Sequence, residues 1–223
     1  MDGTIVKFTL DYAAARKEVI DYFIELKVPK DILSMEEPIL EIIKVARNFL
    51  KEHNTLPEDW KIVQDDMKHI IEKHEEEATR TTFPIKGIEH VLEKLDDAGV
   101  LMAVCSLNNS PTVLKVLQKF GLKKYFAIVA GRDVVGDNFK PDPAHGNYIL
   151  DRLEVKPRDT CMIGDHPKDI EMAINMGAHG IAITSARHPA DDYAQFKDIS
   201  IVSDTQYHRL ASVIFKVLHI HIP

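Results

Sequence analysis

Five polar side chains in this sequence have the types that phosphate and metal chemistry requires. Asp2 lies in the opening segment MDGTIVKF, Ser106 ends the apolar run VLMAVCS, and Lys140 stands between the two prolines of FKPDP. Asp165 and Asp169 belong to the segment IGDHPKD, one helical turn apart. A hydroxyl next to a helix N-terminus and a lysine cation suit an anionic oxygen. Two neighbouring carboxylates suit Mg²⁺, which takes oxygen ligands and keeps several waters.

Each of these residues also has an ordinary structural explanation. A serine after a strand is commonly a helix cap, and a single lysine is commonly a solvated surface charge. Acidic residues at the start of a helix match the helix dipole. The elements that carry the five residues therefore decide whether they meet in one place.

Strands and helices alternate from Pro84 onwards. The segments VLMAVCS, YFAIVAG, TCMIG, GIAIT and ISIVS have the apolar character of strands that are buried on both faces. Amphipathic segments separate them, and Ser110 with Pro111 is predicted to begin one of these helices, with the serine as N-cap. This alternation predicts an α/β fold with a Rossmann-like parallel sheet. Ligands of such sheets bind at the carboxyl ends of the strands, where Ser106 and Asp165 fall.

The segment from residue 11 to residue 83 has a different pattern. Apolar side chains recur there at steps of three and four in three stretches, beginning near Tyr12, Ile39 and Trp60. That spacing predicts helices, and no strand pattern interrupts them. We therefore predict an all-helical domain over residues 11–83, inserted into an α/β core made of residues 1–10 and 84–223.

The order and spacing of the motifs are more specific than any one of them. Asp-Gly-Thr, then Ser106, then Lys140-Pro, then Gly-Asp165 with Asp169 four residues later resemble the four motifs of the haloacid dehalogenase superfamily. The resemblance covers essentially the whole chain and is greatest to phosphoglycolate phosphatase-like members. The helical segment is similar to the superfamily's helical C1-type cap. The resemblance implies an Mg²⁺-dependent phosphatase that hydrolyses a small phosphorylated metabolite, phosphoglycolate-like or a sugar phosphate, through an aspartyl-phosphate.

The resemblance also implies roles for the residues of the first two motifs. Asp2 matches the general acid and base, and its backbone carbonyl matches a ligand of Mg²⁺. Thr4 matches a supporting position. Ser106 matches the hydroxyl that binds the transferring phosphoryl group. Leu107 occupies the adjoining phosphate-binding position, where relatives often carry Asn or Ser, so a side-chain contact is expected to be missing there.

The resemblance also implies roles for the charged residues of the last two motifs. Lys140 matches the cation that balances the charge of nucleophile and phosphate, which makes it both a catalytic and a phosphate-binding candidate. Asp165 matches the direct Mg²⁺ ligand, and Asp169 matches a supporting carboxylate behind it. An acid at the position of Asp2 favours a phosphatase over a haloalkanoate dehalogenase, which has no need to protonate its leaving group.

One residue of the family pattern stands outside the sequence. The nucleophilic aspartate would come immediately before Met1, and so would the first core strand that leads to it. A central strand with about four buried apolar side chains contributes roughly 6–12 kcal/mol, which rivals the stability of a whole domain. We therefore expect the natural protein to start upstream of Met1. The alternatives are an inactive short protein that binds a phosphorylated ligand or a protein partner, and a phosphosugar mutase.

Composition excludes several other classes of function. The 223 residues are 45% apolar and 28% charged, with a net charge of −7 and no basic stripe. Nucleic acid and anionic membrane are therefore not expected as partners, and no apolar run is long enough to span a bilayer. Two cysteines do not make a disulfide framework, and no signal peptide is visible, which favours the cytoplasm.

Overall fold

A computed structural model describes residues 1–136 and 138–220 of the chain. Two compact units are present. The α/β unit consists of Met1–Phe8 together with the chain from Thr82 onwards, and the helical unit consists of Thr9–Thr81. Within the described residues, no helix combines the length and the apolarity that crossing a bilayer requires.

A short antiparallel ribbon marks the places where the chain leaves and re-enters the α/β unit. Strand β1 (Val6–Lys7) pairs with strand β2 (Phe83–Pro84), so that Val6 lies opposite Pro84 and Lys7 lies opposite Phe83. The ribbon joins two segments of the unit that are more than 70 residues apart in sequence.

The helical unit contains the three helices that the apolar spacing predicted. They are α1 (Tyr12–Glu25), α2 (Ile39–Glu52) and α3 (Trp60–Thr81). Asp11 is the N-cap of α1, and its carboxylate accepts a hydrogen bond of 2.9 Å from the Ala14 N–H, which satisfies one of the unpaired donors of the first turn. One face of each helix is apolar, and these faces form a common core that includes Val19, Phe23, Ile42, Leu50 and Met67.

The α/β unit alternates helices and strands as the sequence predicted. Its further elements are α4 (Ile88–Asp97), β3 (Ala103–Cys105), α5 (Ser110–Lys119), β4 (Ile128–Ala130), α6 (Ala144–Leu153), β5 (Cys161–Gly164), α7 (Pro167–Met176), β6 (His179–Thr184), β7 (Ser200–Ser203) and α8 (Leu210–Val217). All five apolar segments singled out in the sequence contain a strand. The prediction of an α/β fold is confirmed.

The strands form two separate parallel groups. Strand β3 pairs with β4, with Cys105 opposite Ala130, and strands β5, β6 and β7 form a second sheet in that order. In the part of the chain that the structure describes, β3 and β5 are each paired along one edge only. The two groups are therefore not joined by hydrogen bonds between strands.

The start of α5 differs from the prediction by one residue. Asn109, not Ser110, is the N-cap, and its side chain accepts a hydrogen bond of 2.8 Å from the Thr112 N–H. The Ser110 hydroxyl instead accepts a hydrogen bond of 2.9 Å from the Gly131 N–H in the loop after β4. Both residue types are good caps, so tertiary contacts with that loop decide between them.

Candidate active site

Lys140 lies at the centre of the candidate site. Its Nζ donates to Oδ1 of Asp169 at 2.6 Å and to the carbonyl oxygen of Cys105 at 3.1 Å. Cys105 is the last residue of β3 and directly precedes Ser106, while Asp169 lies in the first turn of α7. Lys140 therefore brings the end of β3 and the start of α7 together.

The Lys140–Asp169 pair is buried and charged. The two side chains are 8% and 10% exposed. Burial opposes the charge of Lys140, but the nearby groups, with Asp169 foremost, together outweigh it and raise the pKa of the ammonium group. Burial likewise opposes ionisation of Asp169, but Lys140, the Met1 amino group and the His166 N–H together outweigh it and lower the pKa of the carboxyl group. Both groups are therefore ionised at neutral pH.

Asp169 also organises the start of α7. Its Oδ2 accepts a hydrogen bond of 3.3 Å from the His166 N–H, while Nδ1 of His166 accepts one of 3.1 Å from the Lys168 N–H. This reciprocal pair is a capping box at the N-terminus of α7. A Cβ atom at Gly164 would lie 2.3 Å from the Asp169 side chain, so only glycine allows this approach.

Asp165 lies against the opening segment of the chain. A Cβ atom at Gly3 would lie only 1.8 Å from Oδ2 of Asp165. Burial raises the pKa of Asp165, the Met1 amino group opposes that effect, and the carboxylates of Asp169 and Asp2 add to it. Three carboxylates are thus close enough to repel one another, which is an arrangement that a cation would relieve.

The opening segment folds into a tight loop that fixes Asp2. Oδ1 of Asp2 accepts a hydrogen bond of 2.9 Å from the Phe8 N–H, and the Gly3 N–H donates to the Val6 carbonyl at 2.9 Å. Gly3 has a φ of +66°, which favours glycine. Thr4 contributes through its backbone, since its N–H donates to the Met1 carbonyl at 3.4 Å.

Two buried tyrosines hold these loops, and sequence reasoning missed both. The hydroxyl of Tyr207 donates to the carbonyl oxygens of Gly3 and Thr4, each at 3.1 Å. The hydroxyl of Tyr193 donates to the carbonyl oxygen of Asp165 at 2.8 Å. Burial, followed by the charge of Asp165, raises the pKa of both phenols, which therefore remain donors. Nothing in the sequence distinguishes them from ordinary core tyrosines.

Ser106 is buried, and its hydroxyl is held by a neighbour that the sequence did not single out. Oγ of Ser106 donates to Oδ1 of Asn108 and accepts from the Asn108 N–H, both at 3.2 Å. Asn108 is itself 9% exposed. In the sequence, an asparagine two residues after a strand has the pattern of an ordinary turn residue, so its contact with Ser106 could not be predicted. Leu107 has a largely exposed side chain, and its carbonyl accepts a hydrogen bond from Arg132 at 3.1 Å.

His145 supports the same region from the first turn of α6. Its Nε2 donates to the carbonyl oxygen of Ala130 at 3.1 Å, and that oxygen also accepts from the Ser106 N–H at 2.9 Å. The imidazole is fully buried. Burial, followed by the charge of Lys140, lowers the pKa of His145 to about 4, so the ring is neutral at physiological pH.

The donor set fits Mg²⁺ better than a metal that needs many protein ligands. No cluster of three His, Cys, Asp or Glu side chains suited to a metal occurs in residues 1–136 and 138–220. Mg²⁺ commonly takes one or two carboxylates and completes its shell with water and substrate oxygens. The Asp165 carboxylate and the Asp2 backbone carbonyl are the groups that would hold it, with Asp169 behind them.

The chain matches known proteins over most of its length. Residues 1–183 match the family model described as haloacid dehalogenase-like hydrolase. A phosphoglycolate phosphatase of Vibrio vulnificus is 32% identical over 131 residues, which cover 52% of this chain and 56% of that protein. The chain thus spans little more than half the length of this relative. A phosphoglycolate phosphatase of Agrobacterium fabrum is 26% identical over 187 residues, which cover 82% and 78%.

The fold is also found among solved structures. A haloacid dehalogenase-like family hydrolase from Streptococcus pneumoniae superposes with a TM-score of 0.64 at 16% identity, covering 96% of this chain and 94% of that one. At that identity the likeness concerns the fold alone. The family model, which matches more than three quarters of the sequence, shows more: this chain belongs to the haloacid dehalogenase-like hydrolase family.

Proposed function

We propose that this protein is an Mg²⁺-dependent phosphatase of the cytoplasm that hydrolyses a small phosphorylated metabolite, phosphoglycolate-like or a sugar phosphate. One observation carries the proposal: the buried Lys140–Asp169 pair lies where β3 ends and α7 begins, next to Ser106 and Asp165. A buried cation beside a hydroxyl and a group of carboxylates suits a phosphoryl group and Mg²⁺ together. The names of the phosphatase relatives support the choice of substrate class.

The residues divide the reaction between them. Ser106 and Lys140 bind the oxygens of the phosphoryl group, and the hydrogen bond from Asn108 holds the serine hydroxyl in position. Bound Mg²⁺ supplies further positive charge to the phosphoryl oxygens. Asp2 gives a proton to the leaving oxygen and later takes one from the water that attacks phosphorus. Oδ1 of Asp2 is already held by the Phe8 N–H, which fixes the carboxyl group for both transfers.

Covalent catalysis requires one more carboxylate. In the family pattern it forms the bond to phosphorus while the substrate's P–O bond breaks, and water then releases it as the free carboxylate. The motif expects this group directly before Met1. We further propose that the helical unit acts as the cap that selects the substrate, as the resemblance implies. All of the motif residues lie in the α/β unit, and none lies in the three helices of the helical unit.

Turnover by the protein isolated from its native source, which has its natural N-terminus, tests the proposal. We expect release of phosphate from p-nitrophenyl phosphate and from phosphoglycolate or a sugar phosphate, dependent on Mg²⁺ and abolished by EDTA. Lys140→Met is expected to lower kcat/KM at least 100-fold. Lys156→Met, at an exposed position, is the matched control and is expected to change it less than twofold.

The same preparation decides between the phosphatase and a binding protein. A native protein that binds vanadate in a Lys140-dependent way but never releases phosphate would contradict catalysis and favour a sensor of phosphorylated ligands. Activity that does not respond to Lys140→Met or to EDTA would show that the chemistry lies elsewhere.

A further inference from the structure

The loop that follows β6 packs over the loop that follows β5. The second of these loops carries Asp165 and His166, and the first, residues 185–193, contacts it at two points. The Tyr193 hydroxyl donates to the Asp165 carbonyl at 2.8 Å. The His188 ring meets the His166 ring edge-on, with 4.8 Å between the two centroids. The ends of two neighbouring strands are therefore held together beside the candidate site.

The first part of the loop after β6 is a tight turn that carries Arg187. The Ser185 hydroxyl accepts hydrogen bonds from the N–H groups of Arg187 at 3.2 Å and His188 at 3.4 Å, and the Ser185 N–H donates to the His188 carbonyl at 3.0 Å. Oδ2 of Asp192 accepts from Nδ1 of His188 at 3.0 Å. Backbone and ring contacts thus fix the turn, while the Arg187 side chain is exposed to solvent.

The imidazole of His166 presents a hydrogen-bond donor at this edge of the sheet. Its Nδ1 accepts a hydrogen bond of 3.1 Å from the Lys168 N–H, so the proton of the neutral ring is on Nε2. The protonated ring carries a proton on Nε2 as well. Nε2 of His166 is therefore a donor in either state, and its side chain is exposed to solvent.

Two cations flank this donor. Partial burial, followed by neighbouring charges that include Lys168 and Arg187, lowers the pKa of His166, which places both cations close to the ring. Over residues 1–136 and 138–220, neither cation forms an ion pair. Lys168 also lies in the first turn of α7, where the helix dipole disfavours a cation. An anion between these three side chains, here called the basic cluster, would relieve that cost and accept from all of them.

We propose that the basic cluster binds a carboxylate of the substrate, so that the substrate is a phosphorylated carboxylic acid. This inference rests on the proposed function, in which Ser106 and Lys140 hold the phosphoryl group. A planar carboxylate matches the fork of the Arg187 guanidinium. Asp165 and Asp169 lie nearby and repel anions, so a singly charged carboxylate suits the cluster better than a second, doubly charged phosphoryl group.

Phosphonates test the proposal without turnover, because their P–C bond replaces the ester bond that a phosphatase hydrolyses. The ligands are ω-phosphono carboxylic acids with two, three or four methylene groups, together with their primary amides. Acid and amide of one length differ in the charge of the far group and little in its shape. Isothermal titration calorimetry with Mg²⁺ measures each Kd, and the ratio of the two values is the acid preference.

The acid preference is expected to be largest at one chain length, because the basic cluster and the phosphoryl site are fixed in the same unit. At that length we expect the acid to bind at least about tenfold more tightly than its amide, since charge-assisted hydrogen bonds are about twice as strong as neutral ones. A preference that is the same at all three lengths would indicate general attraction of anions and would overturn the proposal.

Three variants locate the carboxylate. Arg187→Met removes the guanidinium, and His166→Asn removes the ring N–H while keeping an oxygen that can cap α7. Each is expected to lower the acid preference to below about threefold. Arg158→Met is the matched control, because Arg158 is also exposed but precedes β5 at its opposite end. Its acid preference is expected to equal that of the unaltered protein. Since the preference is a ratio within one variant, a general loss of binding cancels.

Lys140→Met separates this proposal from the proposed function. Weaker binding of both acid and amide in Lys140→Met supports the phosphoryl site, and unchanged binding of both contradicts it. With the phosphoryl site supported, an acid preference below about threefold at every length, or one that survives Arg187→Met, overturns the basic cluster alone. Protein that binds neither ligand at any length contradicts both proposals.

Discussion

The ammonium group of Lys140 lies 2.6 Å from Oδ1 of Asp169, although 29 residues separate them in the sequence. Each charge offsets the free-energy cost of burying the other where water is excluded. Lys140 also contacts the Cys105 carbonyl of β3, and Asp169 also contacts the His166 N–H at the N-terminus of its own helix, so the ion pair links β3 to α7 structurally as well as electrostatically. Its removal is therefore expected to affect stability as well as phosphate binding.

Breaking this pair from one side leaves a buried charge without a partner. Lys140→Met and Asp169→Asn are each expected to lower the free energy of unfolding by about 3–5 kcal/mol, and the double variant by less than the sum of the two. Urea denaturation measures the three values. Lys17→Met breaks the exposed pair with Asp21 and is the control, with an expected loss below about 0.5 kcal/mol. Strict additivity of the two site variants would show that the pair is not coupled.

Tyr193 and Tyr207 hold the loops that carry the proposed Mg²⁺ ligands through hydrogen bonds to their backbone carbonyl groups. Tyr193→Phe removes the donor to the Asp165 carbonyl, and we expect a 10–100-fold loss of Mg²⁺ affinity by isothermal titration calorimetry. The accompanying loss of stability is expected to be only about 1 kcal/mol, the value of one hydrogen bond. Tyr125→Phe, at a buried tyrosine of another region, is the control and is expected to leave Mg²⁺ affinity unchanged. Equal Mg²⁺ affinities for Tyr193→Phe and the unaltered protein would make Tyr193 a core residue only.

Because Gly3 has no side chain, the Asp165 carboxylate can lie close to its backbone. A methyl group at position 3 would occupy the space that this carboxylate fills. Gly3→Ala adds a left-handed backbone cost of about 1–2 kcal/mol and a clash with Asp165, so Mg²⁺ binding is expected to be lost. Gly121→Ala is a matched control, because its φ of +69° is nearly the same and no atom lies within 4 Å of the added Cβ. The control is expected to show the backbone cost alone. If both variants bind Mg²⁺ normally, the contact between Gly3 and Asp165 has no part in metal binding.

His145 is expected to make stability depend on pH. Its folded-state pKa of about 4 lies below the ordinary value of 6.5, so the unfolded chain binds more protons between these two values. Stability from this residue is therefore full above pH 6.5 and falls by about 3 kcal/mol as the pH drops towards 4.

His145→Gln removes this dependence, which urea unfolding at pH 7, 6, 5 and 4 measures. The variant is expected to lose less stability than the unaltered protein over that range. His179→Gln, at an exposed position, is the control and is expected to follow the unaltered protein. Parallel pH profiles for His145→Gln and the unaltered protein would contradict a neutral buried imidazole.

Local patterns in the sequence predict most of the secondary structure. Apolar runs predict strands β3 to β7, and steps of three and four predict α1, α2 and α3, because burial on one or both faces imposes these periods. The two-residue strands β1 and β2 are too short to have such a pattern and are not predicted. The N-cap of α5 was placed one residue late. Asn109 and Ser110 are both suitable caps, and the contact of Ser110 with Gly131 in a distant loop decided which of them is used.

The sequence by itself determined the family and predicted the residues of the candidate site, since the motifs of Asp2, Ser106, Lys140 and Asp165 are read from short segments. Tertiary structure alone decided what holds them. Tyr207 reaches Gly3 across 204 residues, and His145 and Tyr193 act through hydrogen bonds to backbone carbonyl groups that have no signature of their own. Such contacts depend on where the chain returns in space, and this is a property that no local pattern of residues records.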